Sequence, residues 1–461
     1  MGDPAYRDLV RNMRSGRVSR RQFIQSATAL GLSATAISSA LRANPARAQD
    51  KSEVTFWTTH TEPDLSGLQM IVDGFNKENT DVQAKMVQVV GDETDTTKLM
   101  TAVRGGTGPD VYMLDRFIVA QRAAEGVLQE LTDFLEGKDI GEDYIPFAWA
   151  EANFQGKPYA LPFDTDARAL WYNKGMLKDA GVDPAELDAA KGPVTFDKIA
   201  EIANKVNKVD QDGNFSQMGF GAYTHQAWHY TYGFAFGGKF FDEATCEVTP
   251  DDAGVVAGLQ WLYDYTKALD PQKVNAFAGQ YAADQTVPEE QDPFVTKRLA
   301  MAITGDWFFN TWDKFAPDVD YGVTYIPVPK AGDESATWAG GWSMVIPQGA
   351  KNPEAAWKFL QYAAGEQGQR TYVTQTKHLP VINSLLKDTS LFEERHRFFP
   401  DKLLPTAKNR PPLPVGAKYW DELTTAWQKI FLNDDEPAAA LKTAKDRVQP
   451  DLKSFCPIKI S

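Results

Sequence analysis

Acidic side chains and tryptophans near predicted strand ends are the residues of this sequence that suit chemistry on sugars. The carboxylates form two candidate pairs, Asp164 with Asp166 and Asp64 with Asp115. A glycosidase needs two carboxyl groups about 5–10 Å apart, one of them with a raised pKa. A binding site uses the same groups differently, because carboxylates accept hydrogen bonds from hydroxyls and aromatic rings stack on the apolar face of a pyranose. The sequence does not fix the distance between the carboxyl groups, so both functions remain open at this point.

Trp342 lies in the segment Thr337–Pro347, TWAGGWSMVIP, directly after two glycines. A tryptophan that enters a strand usually packs in a core. Glycines beside it remove side chains and open space, which core packing does not need. Trp342 is therefore either a core residue or a flat platform for a ligand, and Trp338 is predicted to lie at the surface or rim.

Other motifs for catalysis or metal binding are weak. His225 and His229 have the i,i+4 spacing of a zinc-binding helix, but Gln226 replaces the Glu of HExxH and no third ligand is evident. The glycine-rich segment Gly105–Asp110 precedes a strand and lacks the Lys-Ser/Thr of a phosphate-binding loop. No G-x-S-x-G occurs, and neither cysteine has an adjacent histidine. These patterns predict no metal and no cofactor.

The first part of the chain after residue 48 predicts alternating strands and helices. Strand-like runs at Glu53–Trp57, Val82–Val90 and Asp110–Leu114 are separated by two segments of helical periodicity, Leu68–Phe75 and Leu99–Val103. This βαβαβ order predicts a parallel sheet with helices on its faces. Ligands of such sheets bind beyond the carboxyl ends of the strands. Those ends carry polar side chains in the segments Trp57–Asp64, Gly91–Glu93 and Asp115–Arg116.

A second α/β unit follows the segment Lys157–Asp166. Helices are predicted at Phe196–Val206 and Val256–Thr266, and buried strands at Leu299–Ile303 and Val323–Val328. Because no flexible linker separates the two units, we expect them to share a cleft. Further helices are predicted at Ala355–Ala364 and Trp420–Ile430.

Composition and charge exclude several classes of partner. A chain of 461 residues with 43% hydrophobic residues can form two or three domains with substantial cores. Residues 1–48 hold eight Arg, no Lys and two acids, so the remainder has 40 basic and 60 acidic residues, a formal net charge of −20. Such a charge argues against nucleic acids and anionic membranes as partners.

Residues 1–48 have the three-part order of an export signal. A basic stretch is followed by a weakly apolar run from Phe23 to Leu41 and by the sequence ARA at Ala46–Ala48. The segment Ser19–Gln25, SRRQFIQ, resembles the twin-arginine signal of the Tat pathway, which exports folded proteins. The apolar run is short and contains Ser, Thr and Gly, which disfavours a transmembrane helix. We predict a Tat-type signal peptide, whose removal leaves a soluble protein of the periplasm.

The chain has two cysteines, Cys246 and Cys456, and neither lies in the signal region. No thiol is therefore available there for lipid attachment, and we predict that the protein is not a lipoprotein. An oxidising compartment permits a disulfide between the two cysteines. Two cysteines in a long chain do not establish the bond, so their pairing stays open.

Five segments, in this order, resemble those of extracellular solute-binding proteins of ABC importers, in the sugar-binding family that includes maltose- and trehalose-binding proteins. Gly106–Asp115 is similar to a Gly-Pro-Asp-Val strand that ends in a ligand-contacting acid, and Gly156–Leu177 is similar to the first crossing between lobes. Ala300–Phe309 resembles the segment whose tryptophan stacks on sugar. Ala339–Pro347 and Asn352–Gln369 resemble the start of the return strand and the helix after it.

The resemblance implies an α/β, two-lobed periplasmic-binding-protein (Venus flytrap) fold with an interlobe cleft and a hinge. Lobe 1 is expected to comprise residues 49–163 and about 343–395, and lobe 2 residues 164–342 and about 396–461. Ligand binding then favours closure, because the closed form contacts the ligand from both lobes.

Matching the family's roles to this sequence gives candidate ligand-binding residues. Carboxylates are expected to bind hydroxyls, tryptophans to stack, a glycine to let the backbone approach, and the planar fork of an arginine to suit vicinal hydroxyls. These residues are Asp64, Asp92, Asp115, Asp166, Trp307, Gly341, Trp342 and Arg410. Weaker candidates are His60, Glu62 (an alternative to Asp64), Arg116, Asp164, Trp228 and Tyr232.

The function implied is the substrate-binding component of an ABC importer, which captures a mono- or oligosaccharide and delivers it to a membrane permease. No catalysis is expected, and the protein is expected to be a monomer whose other partner is the Tat machinery.

One alternative is a binding protein for a non-sugar solute such as a polyol, a glycerophosphodiester or a polyamine, and another is a secreted glycosidase. A strongly anionic ligand is disfavoured because acids outnumber bases among the candidates, but a polyamine would use the same acids and aromatics. The identity, length and linkage of the sugar do not follow from the sequence.

Overall fold

The structure is a computed structural model that describes residues 12, 18, 20–29, 51–91, 96–281 and 288–460. Most of the predicted signal peptide, and the candidate Asp92, lie outside the described residues. The chain divides into two compact units, one of Met1–Glu53 with Asn79–Gln83 and one of Val54–Glu78 with Ala84–Ser461. No helix among the described residues has the length and apolar character needed to cross a membrane.

The strands lie in both halves of the chain. In chain order they are β1 (Ser52–Thr58), β2 (Val82–Gln88), β3 (Val111–Asp115), β4 (Asn153–Phe154), β5 (Lys157–Pro158), β6 (Ala160–Pro162), β7 (Asp164–Thr165), β8 (Arg168–Asn173), β9 (Lys208–Val209), β10 (Phe215–Phe220), β11 (Phe241–Asp242), β12 (Glu247–Val248), β13 (Leu299–Gly305), β14 (Tyr321–Thr324), β15 (Trp338–Ala339), β16 (Trp342–Val345), β17 (Leu379–Pro380) and β18 (Lys408–Asn409).

Helices fill the connections between the strands. The α-helices are α1 (Arg20–Ala29), α2 (Asp64–Glu78), α3 (Thr97–Arg104), α4 (Val119–Ala124), α5 (Pro146–Glu151), α6 (Lys174–Asp179), α7 (Phe196–Val206), α8 (His229–Ala235), α9 (Ala253–Leu269), α10 (Pro271–Tyr281), α11 (Phe308–Phe315), α12 (Pro353–Ala363), α13 (Glu366–Thr376), α14 (Asn383–Leu386), α15 (Gly416–Phe431) and α16 (Pro437–Leu452). Short 3-10 turns and a π-helical turn at Phe399–Leu403 complete the connections.

The first sheet has the strand order β2-β1-β3-β16-β6. Strands β1 and β3 run parallel, as the βαβαβ pattern predicted, and β16 returns antiparallel with Trp342 opposite Asp115. The predicted apolar stripe of α2, which includes Leu68 and Phe75, is buried, and this helix packs against α12 and α13. Asp110 braces the start of β3, because its carboxylate accepts from the backbone of Thr55 at 2.9 Å and from that of Lys351 at 2.9 Å.

The second sheet has the order β14-β8-β13-β10-β9, and every residue of its central strand β13 is buried. Helix α7 packs against β10, while α9 contacts α8, α15 and α16. The predicted strand Val323–Val328 ends early, at Thr324. Pro327 and Pro329 lie just beyond and lack the N–H groups that a strand ladder requires.

The chain passes three times between the parts that carry the two sheets. We call residues 163–167 the first crossing, 325–341 the second and 377–415 the third. Two-stranded pairings tie them together: β7 of the first crossing pairs with β17 of the third, and β15 of the second pairs with β18 of the third. The predicted lobe boundaries, close to these crossings, stay predictions.

A disulfide joins Cys246 and Cys456, the pairing that the sequence left open. Cys246 lies in the turn between β11 and β12, and Cys456 follows α16. Gln449 of α16 reinforces this junction, since it accepts from the backbone of Val248 at 2.8 Å and donates to the carbonyl of Cys246 at 3.0 Å. The end of the chain is thereby fastened to the β11–β12 hairpin.

Candidate functional site

Five buried or partly buried side chains, which we call the crossing network, connect the first sheet with the three crossings: Asp115, Arg116, Glu151, Asn409 and Arg410. Arg116 donates through Nε to Glu151 Oε2 at 2.8 Å, and its two Nη groups donate to the carbonyls of Asp164 and Gly340. The other oxygen of Glu151 accepts from Asn409 Nδ2 at 3.3 Å. Burial raises the pKa of Glu151, and the nearby Arg116 opposes that rise. The donors of Arg116, a weaker ligand candidate, are thus used by the protein itself.

Asp115 and Arg410, both strong ligand candidates, bind one another in this structure. Arg410 Nη2 donates to both carboxylate oxygens of Asp115, at 2.7 and 2.9 Å, and both side chains are buried. The guanidinium also lies over the ring of Phe117, 3.8 Å from its centre. Burial raises the pKa of Asp115 and Arg410 counters that effect. The pair joins the end of β3 to the third crossing.

Trp338 is only 2% exposed, so its prediction as a surface or rim residue is wrong. The guanidinium of Arg168 lies 3.6 Å from its ring centre, and its Nε1 donates to Thr231 Oγ1 at 2.8 Å. Arg168 also donates to the candidate Asp166, whose Oδ1 accepts from the backbone of Gly340 at 2.6 Å. Trp338 is buried because the guanidinium groups of Arg168 and Arg410 lie against it, the latter 5.2 Å from its ring centre, and its neighbours in sequence do not indicate these contacts. Asp166 therefore braces the first crossing against the second.

A second buried group, which we call the histidine cluster, consists of Asp64, Asp164, Asp306, Trp307 and His378. His378 lies in the third crossing, with Nε2 3.5 Å from Asp64 Oδ1 and Nδ1 3.7 Å from Asp164 Oδ2. The ring of Trp307 is nearly parallel to the imidazole, with centres 5.6 Å apart. Asp64 begins α2 after β1, whereas Asp306 and Trp307 follow β13, so the cluster gathers the ends of strands from both sheets.

The charges of the histidine cluster are strongly perturbed. Burial lowers the pKa of His378, but Asp64, Asp164 and Asp306 outweigh it and the pKa rises to about 10. Burial raises the pKa of Asp164 to about 7 and that of Asp306 to about 8, in each case against the opposing charge of His378. The pKa of Asp64 is lowered, since His378 outweighs the effect of burial. The cluster therefore holds a protonated histidine and protonatable acids near neutral pH.

Trp307 of the histidine cluster and the neighbouring Trp342 are both half-buried, as a stacking platform requires. Trp342 contacts His60 edge-on, with ring centres 4.2 Å apart, and its backbone N–H donates to Asp164 Oδ1 at 2.7 Å. Burial lowers the pKa of His60 to about 4, so this weaker candidate is neutral at pH 7. Gly341 has a φ of 127°, and a Cβ there would lie 2.4 Å from Arg116 Nη1. The glycine is needed to fit the crossing as well as to position Trp342.

Three weaker candidates are engaged elsewhere. Glu62 is exposed and lies just before α2, where its carboxylate accepts from the backbone N–H of Ser66 at 3.3 Å and from Ser66 Oγ at 2.6 Å. Tyr232 is fully buried in the core and donates to the carbonyl of Ala222 at 2.6 Å, a placement that argues against ligand contact. Trp228 is half-buried against Trp427, with ring centres 4.6 Å apart.

The histidine pair of the zinc-like spacing does not converge. His225 Nε2 lies 2.8 Å from Asp292, while His229 is fully buried and its Nε2 lies 3.4 Å from Thr424 Oγ1. Within the described part of the chain, no three His, Cys, Asp or Glu side chains are placed to hold a metal ion.

Asp306 and His378 were missed by sequence reasoning. Asp306 directly precedes Trp307 at the carboxyl end of β13, where the strand-end rule for α/β sheets points to ligand residues. His378 carries no such signal, because its neighbours Asp64 and Asp164 are remote in sequence and only the pairing of β7 with β17 brings it near Asp164.

Comparison with solved structures shows the fold. CpMnBP1 with mannobiose bound matches with a TM-score of 0.76 at 23% identity, covering 87% of this chain and 100% of that chain. Maltose-bound MalE3 of T. maritima matches with a TM-score of 0.69 at 22% identity, covering 88% of this chain and 100% of that chain. The two-lobed α/β fold of periplasmic binding proteins, predicted from the sequence, is thereby confirmed.

Comparison of sequences shows the family. The maltooligosaccharide ABC transporter solute-binding lipoprotein of Streptococcus pneumoniae serotype 4 is 26% identical, covering 85% of this chain and 88% of that protein. The galactooligosaccharide-binding protein of Bacillus subtilis is 23% identical, covering 87% and 90%. Both relatives are named as binding proteins. A family model described as bacterial extracellular solute-binding protein matches residues 59–370, and the chain belongs to that family.

Proposed function

We propose that this protein is the substrate-binding component of an ABC importer and that it captures an oligosaccharide between its two lobes. The observation that carries the proposal is the histidine cluster, where side chains that follow strands of both sheets meet around buried carboxylates and a half-buried tryptophan. Carboxylates accept from sugar hydroxyls and the tryptophans offer faces for pyranose rings. A ligand held there touches both lobes and favours their closure.

Relatives support a carbohydrate as the ligand. The Streptococcus pneumoniae and Bacillus subtilis relatives are named for maltooligosaccharides and galactooligosaccharides, and solved structures of the same fold hold mannobiose and maltose. Candidate contacts in this chain are Asp64, Asp164, Trp307 and Trp342. Asp115, Asp166 and Arg410 support the crossings instead, and would act on the ligand indirectly.

The test is a thermal-shift screen followed by titration calorimetry. Maltose, maltotriose, mannobiose and galactobiose are compared with glycerol and spermidine. A ligand at 100 times its Kd stabilises the folded state by about 2.7 kcal/mol, which gives a clear rise in Tm. Stabilisation by at least one saccharide is expected. If no saccharide binds and spermidine does, the carbohydrate proposal is wrong. Hydrolysis of a glycoside by the purified protein would instead favour the glycosidase alternative.

We propose further that residues 1–48 direct Tat export and that the mature protein works as a monomer in the periplasm, without a lipid anchor, beside a membrane permease. The twin arginines Arg20 and Arg21 followed by an apolar run support this route. Replacing both arginines by lysine should retain the precursor in the cytoplasm, as measured by cell fractionation and immunoblotting. The matched control replaces Arg14 and Arg17, which lie in the same basic stretch, and should leave export unchanged.

A further inference from the structure

His378 and Asp164 face one another in the histidine cluster without forming a hydrogen bond. His378 Nδ1 and Asp164 Oδ2 lie 3.7 Å apart, too far for a hydrogen bond. Neither atom has a hydrogen-bond partner among the described residues, although Asp164 is fully buried and His378 is only 8% exposed. A buried polar atom without a partner costs about 1–3 kcal/mol, so a group that lies beside the pair and hydrogen-bonds to both atoms is expected.

The contacts around the imidazole fix its protonation. Both ring nitrogens face carboxylates, Nε2 toward Asp64 and Nδ1 toward Asp164. A neutral imidazole has one N–H, so its other nitrogen would present a lone pair to a carboxylate. The doubly protonated ring avoids that repulsion, and the raised pKa of His378 agrees. Nδ1 can therefore donate its N–H to a ligand group that lies beside His378 and Asp164.

Asp164 presents the complementary acceptor. Its Oδ1 is held by the backbone N–H of Trp342 at 2.7 Å, which fixes the orientation of the carboxyl group and leaves Oδ2 toward His378. The imidazole is fixed in turn by the nearly parallel rings of Trp307 and Tyr372, each 5.6 Å away between centres. Donor and acceptor are thus held in place before a ligand arrives.

We propose that His378 and Asp164 form a subsite for one uncharged hydroxyl group of the ligand and determine its specificity. This inference rests on the proposed function of the same site. The hydroxyl oxygen accepts a hydrogen bond from His378 Nδ1–H, and the hydroxyl O–H donates a hydrogen bond to Asp164 Oδ2. A hydroxyl group has both capacities, which is what the two protein atoms require together.

The same geometry rejects cationic ligands. An ammonium group has donors only, so it cannot accept from the N–H of His378, and it would lie beside a like charge. The imidazolium of His378 already supplies the positive charge that Asp64, Asp164 and Asp306 would otherwise offer to bind on a polyamine or an amino sugar. The subsite therefore favours neutral saccharides and polyols over spermidine.

The test compares two variants with a matched control. His378→Phe keeps an aromatic ring between Trp307 and Tyr372 but removes both donors, and Asp164→Asn keeps the acceptor for the Trp342 N–H. His396→Phe is the control, because His396 is also a buried histidine packed on an aromatic ring, Phe309, outside the cluster. The probe is whichever of maltose, maltotriose, mannobiose and galactobiose the wild type binds most tightly, titrated by calorimetry beside spermidine.

Both cluster variants should lose at least about tenfold in affinity for that saccharide, whereas His396→Phe should stay within about twofold. Monodeoxy forms of the saccharide sharpen the test, because removing the hydroxyl that occupies the subsite should weaken binding to wild type more than it weakens binding to Asp164→Asn, which has already lost one of the two hydrogen bonds. Unchanged affinity in both cluster variants overturns the inference and leaves the proposed function standing. Wild type that binds none of maltose, maltotriose, mannobiose and galactobiose, or binds spermidine more tightly, overturns both.

A crystal structure of the wild-type complex decides the matter if a variant does not fold. A ligand hydroxyl within hydrogen-bond distance of both His378 Nδ1 and Asp164 Oδ2 supports the inference. A bound saccharide with no hydroxyl at that position overturns it while the proposed function remains.

Discussion

The crossing network and the histidine cluster are both buried and charged, but they balance their charges differently. In the crossing network each carboxylate faces an arginine, Asp115 with Arg410 and Glu151 with Arg116. In the histidine cluster three carboxylates share one imidazolium, and Asp164 Oδ2 and Asp306 Oδ2 lack hydrogen-bond partners among the residues that the structure describes. In the first arrangement each carboxylate is neutralised by an arginine of the protein, whereas the second has carboxylate oxygens with unused capacity for a ligand.

The difference separates structural from ligand-binding roles for residues of the same type. Buried ion pairs are retained where both partners and their hydrogen bonds are in place, and removing one partner is costly. Perturbed acids with unused hydrogen-bonding capacity are instead typical of functional sites. We propose that Asp115 and Arg410, which the family resemblance offered as ligand contacts, belong to the first group, and that Asp64 and Asp164, with Trp307 beside them, belong to the second.

Breaking the crossing network should give the largest effect. Arg116→Met leaves the buried Glu151 carboxylate without its cation, so the free energy of unfolding should fall by about 3–5 kcal/mol. Urea unfolding of the ligand-free protein at pH 7 measures it. The control, Arg397→Met, breaks a partly exposed i,i+4 pair with Asp401 and should cost at most about 1 kcal/mol.

The double variant Arg116→Met with Glu151→Met sharpens this result. Removing both charges should recover much of the lost stability, because no uncompensated charge stays buried. If the single variant loses no more than Arg397→Met does, the network does not hold the crossings and the contrast between the two regions fails.

The histidine cluster should make stability depend on pH. The pKa of His378 is about 10 in the folded protein, above its usual 6.5, so its contribution is fully present below pH 6.5 and is lost as the pH rises toward 10. Asp164 and Asp306, with pKa values raised to about 7 and 8, also reduce the free energy of unfolding as the pH rises above about 4. The free energy of unfolding should therefore decline between pH 6.5 and 9, by at most about 1.4 kcal/mol per pH unit for each group.

In a background with Asp164→Asn and Asp306→Asn, whose side chains no longer titrate, adding His378→Phe should flatten the decline that remains, because Asp64 still raises the pKa of His378 there. His396→Phe is again the control, because burial lowers the pKa of His396 to about 4 and it stays neutral across the same range. Urea unfolding at several pH values measures both. A decline that is equally steep after His378→Phe in that background would show that the imidazolium is not bound by the cluster.

Local pattern in the sequence determined the fold well but the site only in part. The apolar stripe of α2 and the continuous apolar run of β13 have a clear periodicity, so both elements were predicted close to their observed bounds. The family resemblance also singled out Trp307 and Trp342 as stacking residues; the structure shows both half-buried, and their stacking on a ligand stays a prediction. What it did not provide is the partner of each charge. Arg410 meets Asp115, and His378 meets Asp64, only because the third crossing returns past both lobes, and no local signal encodes that path.

Replacing Trp307 or Trp338 should give the smallest effects, and it tests selectively whether a residue serves ligand binding or stability. Trp307 is half-buried beside the histidine cluster, and Trp307→Ala should reduce saccharide affinity by about 0.5–1.5 kcal/mol, the usual contribution of an aromatic contact beyond its buried area. Trp338 is buried against Arg168, so Trp338→Ala should instead lower the free energy of unfolding of the ligand-free protein. Calorimetric titration and urea unfolding of both variants separate the two outcomes. If Trp307→Ala destabilises the ligand-free protein as strongly as Trp338→Ala does, Trp307 is a core residue, and the histidine cluster loses its stacking platform.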